Sequence, residues 1–366
     1  MLLESLEVQN FRNLRGKMAC GGGLNVLVGE NGQGKTNWLE AISILATTRS
    51  FKTAKLNESI RFGEDLATLR GSVRASADIV RDISVAIQAN SRSLSINGKK
   101  ESASSYVGQL YAVVFNADGL EIVRGVPDAR RRFLDSGIVS IHPPYLQTIT
   151  DYNRVIRQKN TLLQAAQNGQ PARERLSEAL APWNEQLIVL AARIHRSRVR
   201  YVERLNTAFE RGLFGREDIA IRYASSLEGK GDMGDYESLI TERLALRQTA
   251  EIAAGHSLVG VHRDDLGIHF DGHDLRKYGS AGQQRSALLL LLIANLSVFY
   301  AQRAEYPLFL LDDIDAELDY GRIGRLFEFL AGKTQTFVTT SKESFVEEFG
   351  QNASLFHVDN GEAKSR

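Results

Sequence analysis

The sequence is poor in the residues that build disulfides, metal sites and membrane spans. One cysteine, Cys20, stands among 366 residues. It excludes an internal disulfide and a cysteine metal cluster. Seven histidines are scattered. His262, His269 and His273 come nearest to a cluster, and their spacing fits no zinc pattern. No apolar run reaches membrane-spanning length; the longest, around Leu288 to Ile293, is too short. The start, Met1-Leu2-Leu3-Glu4, lacks the basic region and cleavage site of a signal peptide, so a cytoplasmic protein is expected. The formal net charge is only +1, so any nucleic-acid argument must rest on how charge is distributed. What remains is a chain of ordinary globular composition, long enough for two or three domains.

Gly29-Glu30-Asn31-Gly32-Gln33-Gly34-Lys35-Thr36 matches the phosphate-binding loop G-x-x-x-x-G-K-[ST] at every fixed position. An apolar run, Leu24 to Val28, precedes it, and a helix-like stretch from Asn37 to Leu45 follows. Glycines let the backbone curl so that successive N–H groups face phosphate oxygens, and the helix N-terminus adds partial positive charge. Lys35 would reach the β- and γ-phosphates, and the Thr36 hydroxyl would ligate Mg²⁺. The chain is therefore expected to bind a nucleoside triphosphate.

Two further segments complete a nucleotide site. Leu308-Phe309-Leu310-Leu311 is a buried-type strand that delivers Asp312 and Asp313 at its C-terminal end, where parallel α/β sheets place ligands. Asp312 would hold Mg²⁺ largely through water, and Asp313 would orient the attacking water. Tyr278-Gly279-Ser280-Ala281-Gly282-Gln283-Gln284 is similar to the S-G-G-Q signature of ATP-binding-cassette enzymes. There Ser280, Gly282 and Gln283 would clamp a γ-phosphate at a bare helix N-terminus; an ordinary Ser/Gly helix cap is the plainer reading. Ala316-Glu317-Leu318-Asp319 is like the loop that meets the opposite subunit in such dimers.

Between these segments the pattern changes. The first part alternates as strands: Leu6 to Phe11, Thr68 to Val73, Ile83 to Ile87, and Leu94 to Ile96 before an Asn97-Gly98 turn. Tyr111 to Phe115 is a short strand. From about Asp128 to Leu213 the sequence is helical, with a polar link at Asn168 to Pro171 and a second helix opened by Pro182-Trp183. Trp183, Leu187, Leu190, Ile194, Tyr201, Leu205 and Ala208 recur as a seam, interrupted by Arg198. Two long antiparallel helices would form a short arm. The α/β pattern resumes with Leu266 to Phe270, an apolar helix from Gln284 to Tyr300, and Thr336 to Thr339. The expected fold is α/β: an ABC-type P-loop ATPase head, residues 1–125 and 258–366, interrupted by a mainly helical arm at 126–257. An insertion there is the organisation of the DNA-repair and chromosome-structure (SMC-like) branch of the cassette enzymes.

The whole chain resembles the RecF family of bacterial recombinational-repair ATPases. The resemblance rests on Asn10-Phe11-Arg12-Asn13, the phosphate loop through Asn37, Arg49-Ser50-Phe51, Gly125-Val126-Pro127 and Arg130-Arg131-Arg132-Phe133-Leu134-Asp135. It continues in His262-Arg263-Asp264-Asp265-Leu266, Gly279 to Arg285 and Leu311-Asp312-Asp313. It implies nucleotide contacts from Arg12, Asn13, Glu30, Asn31, Gln33 and Asn37, and a dimer that forms around ATP. It implies binding to single-stranded, gapped or junction DNA, partnership with RecO and RecR in loading RecA, and roles in replication and SOS induction. Asn116 is taken as the position of the cassette Q-loop glutamine and, with Thr36 and Asp312, as a metal-side residue. Trp38 and Gly119 depart from the family pattern. Thr339-Thr340-Ser341 stands where transporter ATPases keep a catalytic histidine, and Asp313 where many cassette ATPases use Glu. Both changes suggest slow hydrolysis that works as a switch, and the expected enzyme is a weak, DNA-stimulated ATPase.

For DNA, the arm carries Arg154, Arg157, Lys159, Arg173, Arg175, Arg193, Arg196, Arg198, Arg200 and Arg204, with no acid between Gln186 and Val202. Arg193, Arg196, Arg200 and Arg204 share one helical face, suited to phosphates or to plain solvation. Arg130 and Arg131 are further DNA candidates, or braces between head and arm. A transporter ATPase subunit would need a membrane partner and the missing histidine. A structural DNA-bridging ATPase would need a far longer coiled coil.

Overall fold

The computed structural model describes residues 1–75, 79–167, 173–210, 212–215 and 218–366, with the backbone only at 173 and 174. The expected link at Asn168 to Pro171 and the side chain of Arg173 lie outside the described residues. The chain forms two compact units, one of Met1–Leu120, Ala208–Asp218 and Ser280–Arg366, the other of Glu121–Thr207 and Ile219–Gly279. This division differs from the expected one in placing Ala208–Asp218 with the first unit and in its second boundary. Residues 258–279 stand with the helical unit because strand Asp265–Phe270 pairs with Ile219–Ala224, a strand that the helical reading had not marked.

The first unit has two sheets. One runs in the order Glu362–Ser365, Ser354–Asp359, Leu24–Val28, Thr336–Thr340, Leu308–Leu311, Ala112–Phe115. All its pairings are parallel except the C-terminal hairpin. Leu308–Leu311 and Thr336–Thr340 are wholly buried, as expected of strands covered on both faces. The other sheet is antiparallel, in the order Gly16–Ala19, Leu2–Gln9, Leu66–Arg74, Val80–Gln88, Arg92–Ile96, Lys99–Glu101. Asn97 and Gly98 both take positive φ, which gives the tight hairpin turn the sequence indicated. Helix Lys35–Thr47 is buried on nearly every side, and Trp38, Leu39, Ile42 and Leu45 share one core with residues of both sheets. Burying four such side chains contributes on the order of 2 kcal/mol each.

Helix Ala281–Arg303 is, by length and composition, long and apolar enough to cross a bilayer, contrary to the run-length reading. However, 67% of its most apolar window is buried in the protein. It is a core helix.

The second unit holds helices Pro127–Ile141, Tyr145–Gln167, Arg173–Ala208 and Tyr236–Ala254 beside a three-stranded antiparallel sheet. Pro182 opens no helix; it lies inside Arg173–Ala208. Leu163 packs with Leu176 and Leu180, joining the two long helices at one end. Arg198, the break in the seam, is buried. Its guanidinium grips both carboxylate oxygens of Asp135 at 2.9 Å and donates to the Val261 carbonyl. Lys159 is likewise buried, 2.7 Å from Glu251. Removing one partner of such a pair costs about 3–5 kcal/mol because it strands the other charge.

His262 sits in the same unit. Nδ1 is 2.7 Å from the Tyr152 hydroxyl and Nε2 3.3 Å from the Ser257 carbonyl. Burial, reinforced by Arg263 and Arg131, lowers its pKa from 6.5 to about 4. The folded protein thus keeps a neutral ring where the unfolded chain takes up a proton. Stability contributed by His262 is full above pH 6.5 and is lost as pH falls toward 4, by about 3 kcal/mol at most. Urea midpoints recorded between pH 7 and 4 should fall more steeply for the wild type than for His262→Asn. Parallel slopes would show that another group sets the acid limit.

Candidate functional site

Register brings the site together. Thr340 is level with Val28, and Leu311 is level with both Val338 and Phe115. The residues that follow these strands, including Gly29, Asp312 and Asn116, therefore emerge at one edge of the sheet. Gly29 is required there because a Cβ would meet the Val358 carbonyl oxygen at 2.3 Å. Gly34, at φ 110°, makes the left-handed step into helix Lys35–Thr47. The loop tip is held from the far end of the chain. Gly361 N–H donates to the Gln33 carbonyl at 2.9 Å and Asn360 N–H to Gln33 Oε1 at 2.8 Å. Nothing in the sequence singled out that C-terminal hairpin.

Lys35 Nζ donates to the carbonyls of Gly29 and Glu30, at 2.7 and 2.8 Å. Burial lowers its pKa, and Asp313, Asp312 and Asp315 oppose that shift. Thr36 Oγ1 donates to Asp312 Oδ1 at 2.9 Å, across 276 residues of chain. Thr339 Oγ1 donates to the same oxygen at 2.8 Å and accepts from Asp313 N–H at 2.9 Å. One buried hydroxyl therefore ties both acids together. Asp313 needs that hold, because its φ of 47° is costly for a residue with a side chain. Burial raises the pKa of both carboxyls. Thr339 and Thr36 work against the rise at Asp312, and the neighbouring Asp312 adds to it at Asp313. Thr340 Oγ1 and Lys342 Nζ then hold Asp315, and Arg285 pairs with Glu317 at 2.5 Å.

The other expected nucleotide residues differ in what they are free to do. Arg12 makes a two-pronged pair with buried Glu40, at 2.9 and 3.0 Å, and donates to the Glu58 carbonyl, so its guanidinium is engaged within the protein. Asn13 accepts from Asn37 at 2.8 Å and donates to the Gln33 carbonyl at 3.3 Å. Asn116 lies beside Asp312, whose N–H bonds the Phe115 carbonyl. Its Oδ1 accepts from Gly119 N–H at 2.9 Å. Ser280 and Gln283 form a reciprocal capping box on helix Ala281–Arg303, while the Gly282 surface is open. The sequence reading passed over Glu40, whose only signal was a lone acid inside an apolar helical run, and did not assign Thr339 a bond.

The DNA candidates also separate. Arg193, Arg196, Arg200 and Arg204 are exposed on one helix face, with Arg196 3.8 Å from Glu237. Arg130 is only 2% exposed and is bound two-pronged to Asp265 with a further bond to the Gly125 carbonyl. It is a brace inside its own unit, not a surface contact. Arg131 is mostly spent on the Asp264 carbonyl and Asp128. Among the described residues no cluster of three or more His, Cys, Asp or Glu could hold a metal. A cation beside Thr36 and Asp312 would draw its remaining ligands from phosphate and water.

A phosphate loop on a parallel sheet, an acid-ended strand two places along that sheet and a Ser-capped signature helix define an ABC-type ATPase head. The sequence profile described as RecF/RecN/SMC N terminal domain matches residues 2–364. The chain is 34% identical over 373 residues to the DNA replication and repair protein RecF of Shouchella clausii, covering 100% of this chain and 99% of that one. It is 34% identical over 371 residues to the RecF of Halothermothrix orenii, covering 99% and 98%. A solved structure described as the recombination mediator protein RecF-ATPrS in the RecFOR pathway matches with a TM-score of 0.90 at 30% identity, over 100% of this chain and 98% of that one. The Smc head domain of Pyrococcus furiosus, with a TM-score of 0.56 at 16% identity over 100% and 95% of the two chains, shares the fold alone. The chain belongs to the RecF family.

The Thr339 bonds can be tested without any ligand. Thr339→Val should speed hydrogen exchange at the Asp313 amide by about tenfold, the worth of one buried hydrogen bond, and Thr339→Ser should restore protection. Unchanged exchange in the valine variant would show that the αL turn is held by something else.

Proposed function

We propose that this protein is an ATP-dependent DNA-binding protein of recombinational repair, closing as a dimer around ATP and opening on slow hydrolysis. The observation that carries the reading is the convergence of Lys35, Thr36, Asp312 and Asp313 at one sheet edge, in a full-length relative of proteins whose structures are described with ATP and ATPrS. Loop N–H groups and Lys35 would bind the β- and γ-phosphates. The Thr36 hydroxyl and Asp312 carboxylate are adjacent hard oxygens, a donor pair that suits Mg²⁺. When bound, Mg²⁺ neutralises charge between the phosphates. Asp313, held by Thr339, would orient the attacking water.

Ser280, Gly282 and Gln283 would face the nucleotide of a second copy. The Arg193, Arg196 and Arg200 face would track DNA phosphates at single-stranded, gapped or junction sites, with salt-dependent and sequence-tolerant affinity. RecO and RecR are the proposed partners, RecA loading the proposed outcome, and the cytoplasm the proposed location. Roles in replication and SOS induction belong to the same proposal.

Lys35→Ala should lose ATP affinity, whereas Asp313→Asn should keep binding and lose turnover by at least tenfold, about 1.4 kcal/mol. Equilibrium binding and steady-state hydrolysis, with and without gapped DNA, separate the two roles. Equal loss of binding in both variants would contradict them, and wild-type turnover near 100 per second, high in the usual enzyme range, would exclude a slow switch.

Sedimentation tests the dimer. Wild-type protein should shift from monomer to dimer with saturating Mg-ATP. Replacing Ser280 by Arg should leave ATP binding intact and abolish the shift. A wild type that stays monomeric overturns the sandwich.

A further inference from the structure

The turn Asn360–Gly361 closes the C-terminal hairpin, whose last ladder pair is Asp359 with Glu362. Both residues take positive φ, 47° and 82°, as a two-residue hairpin loop demands. Their N–H groups lie outside the ladder, and both go to Gln33 in the phosphate loop. Gly361 N–H donates to the Gln33 carbonyl at 2.9 Å, and Asn360 N–H to its Oε1 at 2.8 Å. Asn13 Nδ2 adds a bond to the same carbonyl at 3.3 Å. The turn is itself held, since Arg15 N–H donates to the Gly361 carbonyl at 3.0 Å. It packs so closely that a Cβ at Gly361 would collide with the Asn13 carbonyl oxygen. The hairpin closes without any of these contacts, so the grip serves the loop.

Resting on the nucleotide reading above, we propose that the Asn360–Gly361 turn is a positioning element of the phosphate site. It aims the Gly34 amide at the bound phosphates, so that closure of the turn and affinity for the triphosphate are linked. The reason is peptide geometry. A trans peptide is planar, with its C=O and N–H on opposite sides. The Gln33 carbonyl and the Gly34 N–H belong to one such unit. Pinning the carbonyl to Gly361 and Asn13 turns the Gly34 N–H the other way, into the curl of the loop where Lys35 Nζ bonds the Gly29 and Glu30 carbonyls. Gly34 needs the hold. At φ 110° and without a side chain, its peptide is free to flip unless a neighbour pins it. The link is reciprocal: a phosphate that holds Gly34 N–H also holds the Gln33 carbonyl, and with it the turn.

Hydrogen exchange on the full wild-type chain tests the link. Saturating Mg²⁺-tripolyphosphate should slow exchange at the Asn360 and Gly361 amides about tenfold, as expected for one hydrogen bond to a charged group. The Asn97–Gly98 turn is the control, because it bonds Asp82 and not the loop. Its exchange should stay the same. Gly361→Ala displaces the turn and should weaken ATP and tripolyphosphate alike, by about the same tenfold. It should raise KM and keep kcat near the wild-type value, because the turn acts on the loop and not on Asp312 and Asp313. Tripolyphosphate that binds without slowing exchange at Asn360 and Gly361, or that slows both turns equally, would overturn the proposal. So would unchanged affinities in a folded Gly361→Ala; if that variant does not fold, the exchange result decides. A wild type that binds neither ATP nor tripolyphosphate would instead overturn the nucleotide reading, and the positioning role with it.

Discussion

The first unit depends on one pairing of distant strands. Leu24–Val28 takes its place between Thr336–Thr340 and Ser354–Asp359, more than 300 residues away. The pairing is locked by side chains as well as backbone. Gln335 accepts from Leu3 N–H and donates to the Leu3 and Gly21 carbonyls, and Asn25 donates to the Gly21 and Gly23 carbonyls. These buried amides replace bonds that the strand ends would otherwise make to water, and leaving any of them unmade costs about 1–3 kcal/mol. The entropy of closing so long a loop grows only slowly with its length. What the topology imposes is order: the phosphate loop meets its carboxylates only when both ends of the chain are in the sheet. The site and the fold of this unit are therefore one event.

The same constraint explains what could be read in advance. The phosphate loop, the acid-ended strand and the Ser280 helix start are local patterns, and each carries its chemistry within a few residues. The buried strands at Leu308 and Thr336 were legible because a parallel sheet covered on both faces needs continuous apolar runs. By contrast, Asn360 and Gly361 support the loop from a hairpin whose sequence is ordinary. Their importance comes from a Gly361 backbone so close to Asn13 that a Cβ would lie 1.9 Å from its carbonyl oxygen. Glu40 and Thr339 act through partners 28 and 27 residues away, Arg12 and Asp312. No periodicity reports such pairs.

Charge was the least legible property of the second unit. Arg130, Lys159 and Arg198 look, in sequence, like members of a basic surface. In the fold each is buried against an acid: Asp265, Glu251 and Asp135. A long cationic side chain gives no sign of which face of a helix it lies on until the helix has neighbours. Three- and four-residue spacing did separate the cases where it applied, since Arg193, Arg196, Arg200 and Arg204 do share an exposed face. Arg198, off that stripe, turns inward and replaces an apolar seam residue with a directional bond. A buried pair of that kind adds little net stability over apolar packing, but it tolerates no unmatched alternative register.

The phosphate site, finally, is satisfied within itself. Lys35 bonds two loop carbonyls, Thr36 and Thr339 bond one oxygen of Asp312, and Asp313 N–H bonds Thr339. The Lys35 ammonium has three N–H donors and gives two of them to loop carbonyls, so one remains for a phosphate oxygen. The Thr36 hydroxyl gives its proton to Asp312 and keeps its lone pairs, which would suit a cation. A charge-assisted bond at Lys35 is stronger than the neutral ones beside it, which favours a ligand carrying several negative charges. Internal satisfaction also fixes the geometry beforehand. The Thr339 bonds hold both acids in place within the fold, so the entropy of arranging the two carboxylates is met by folding.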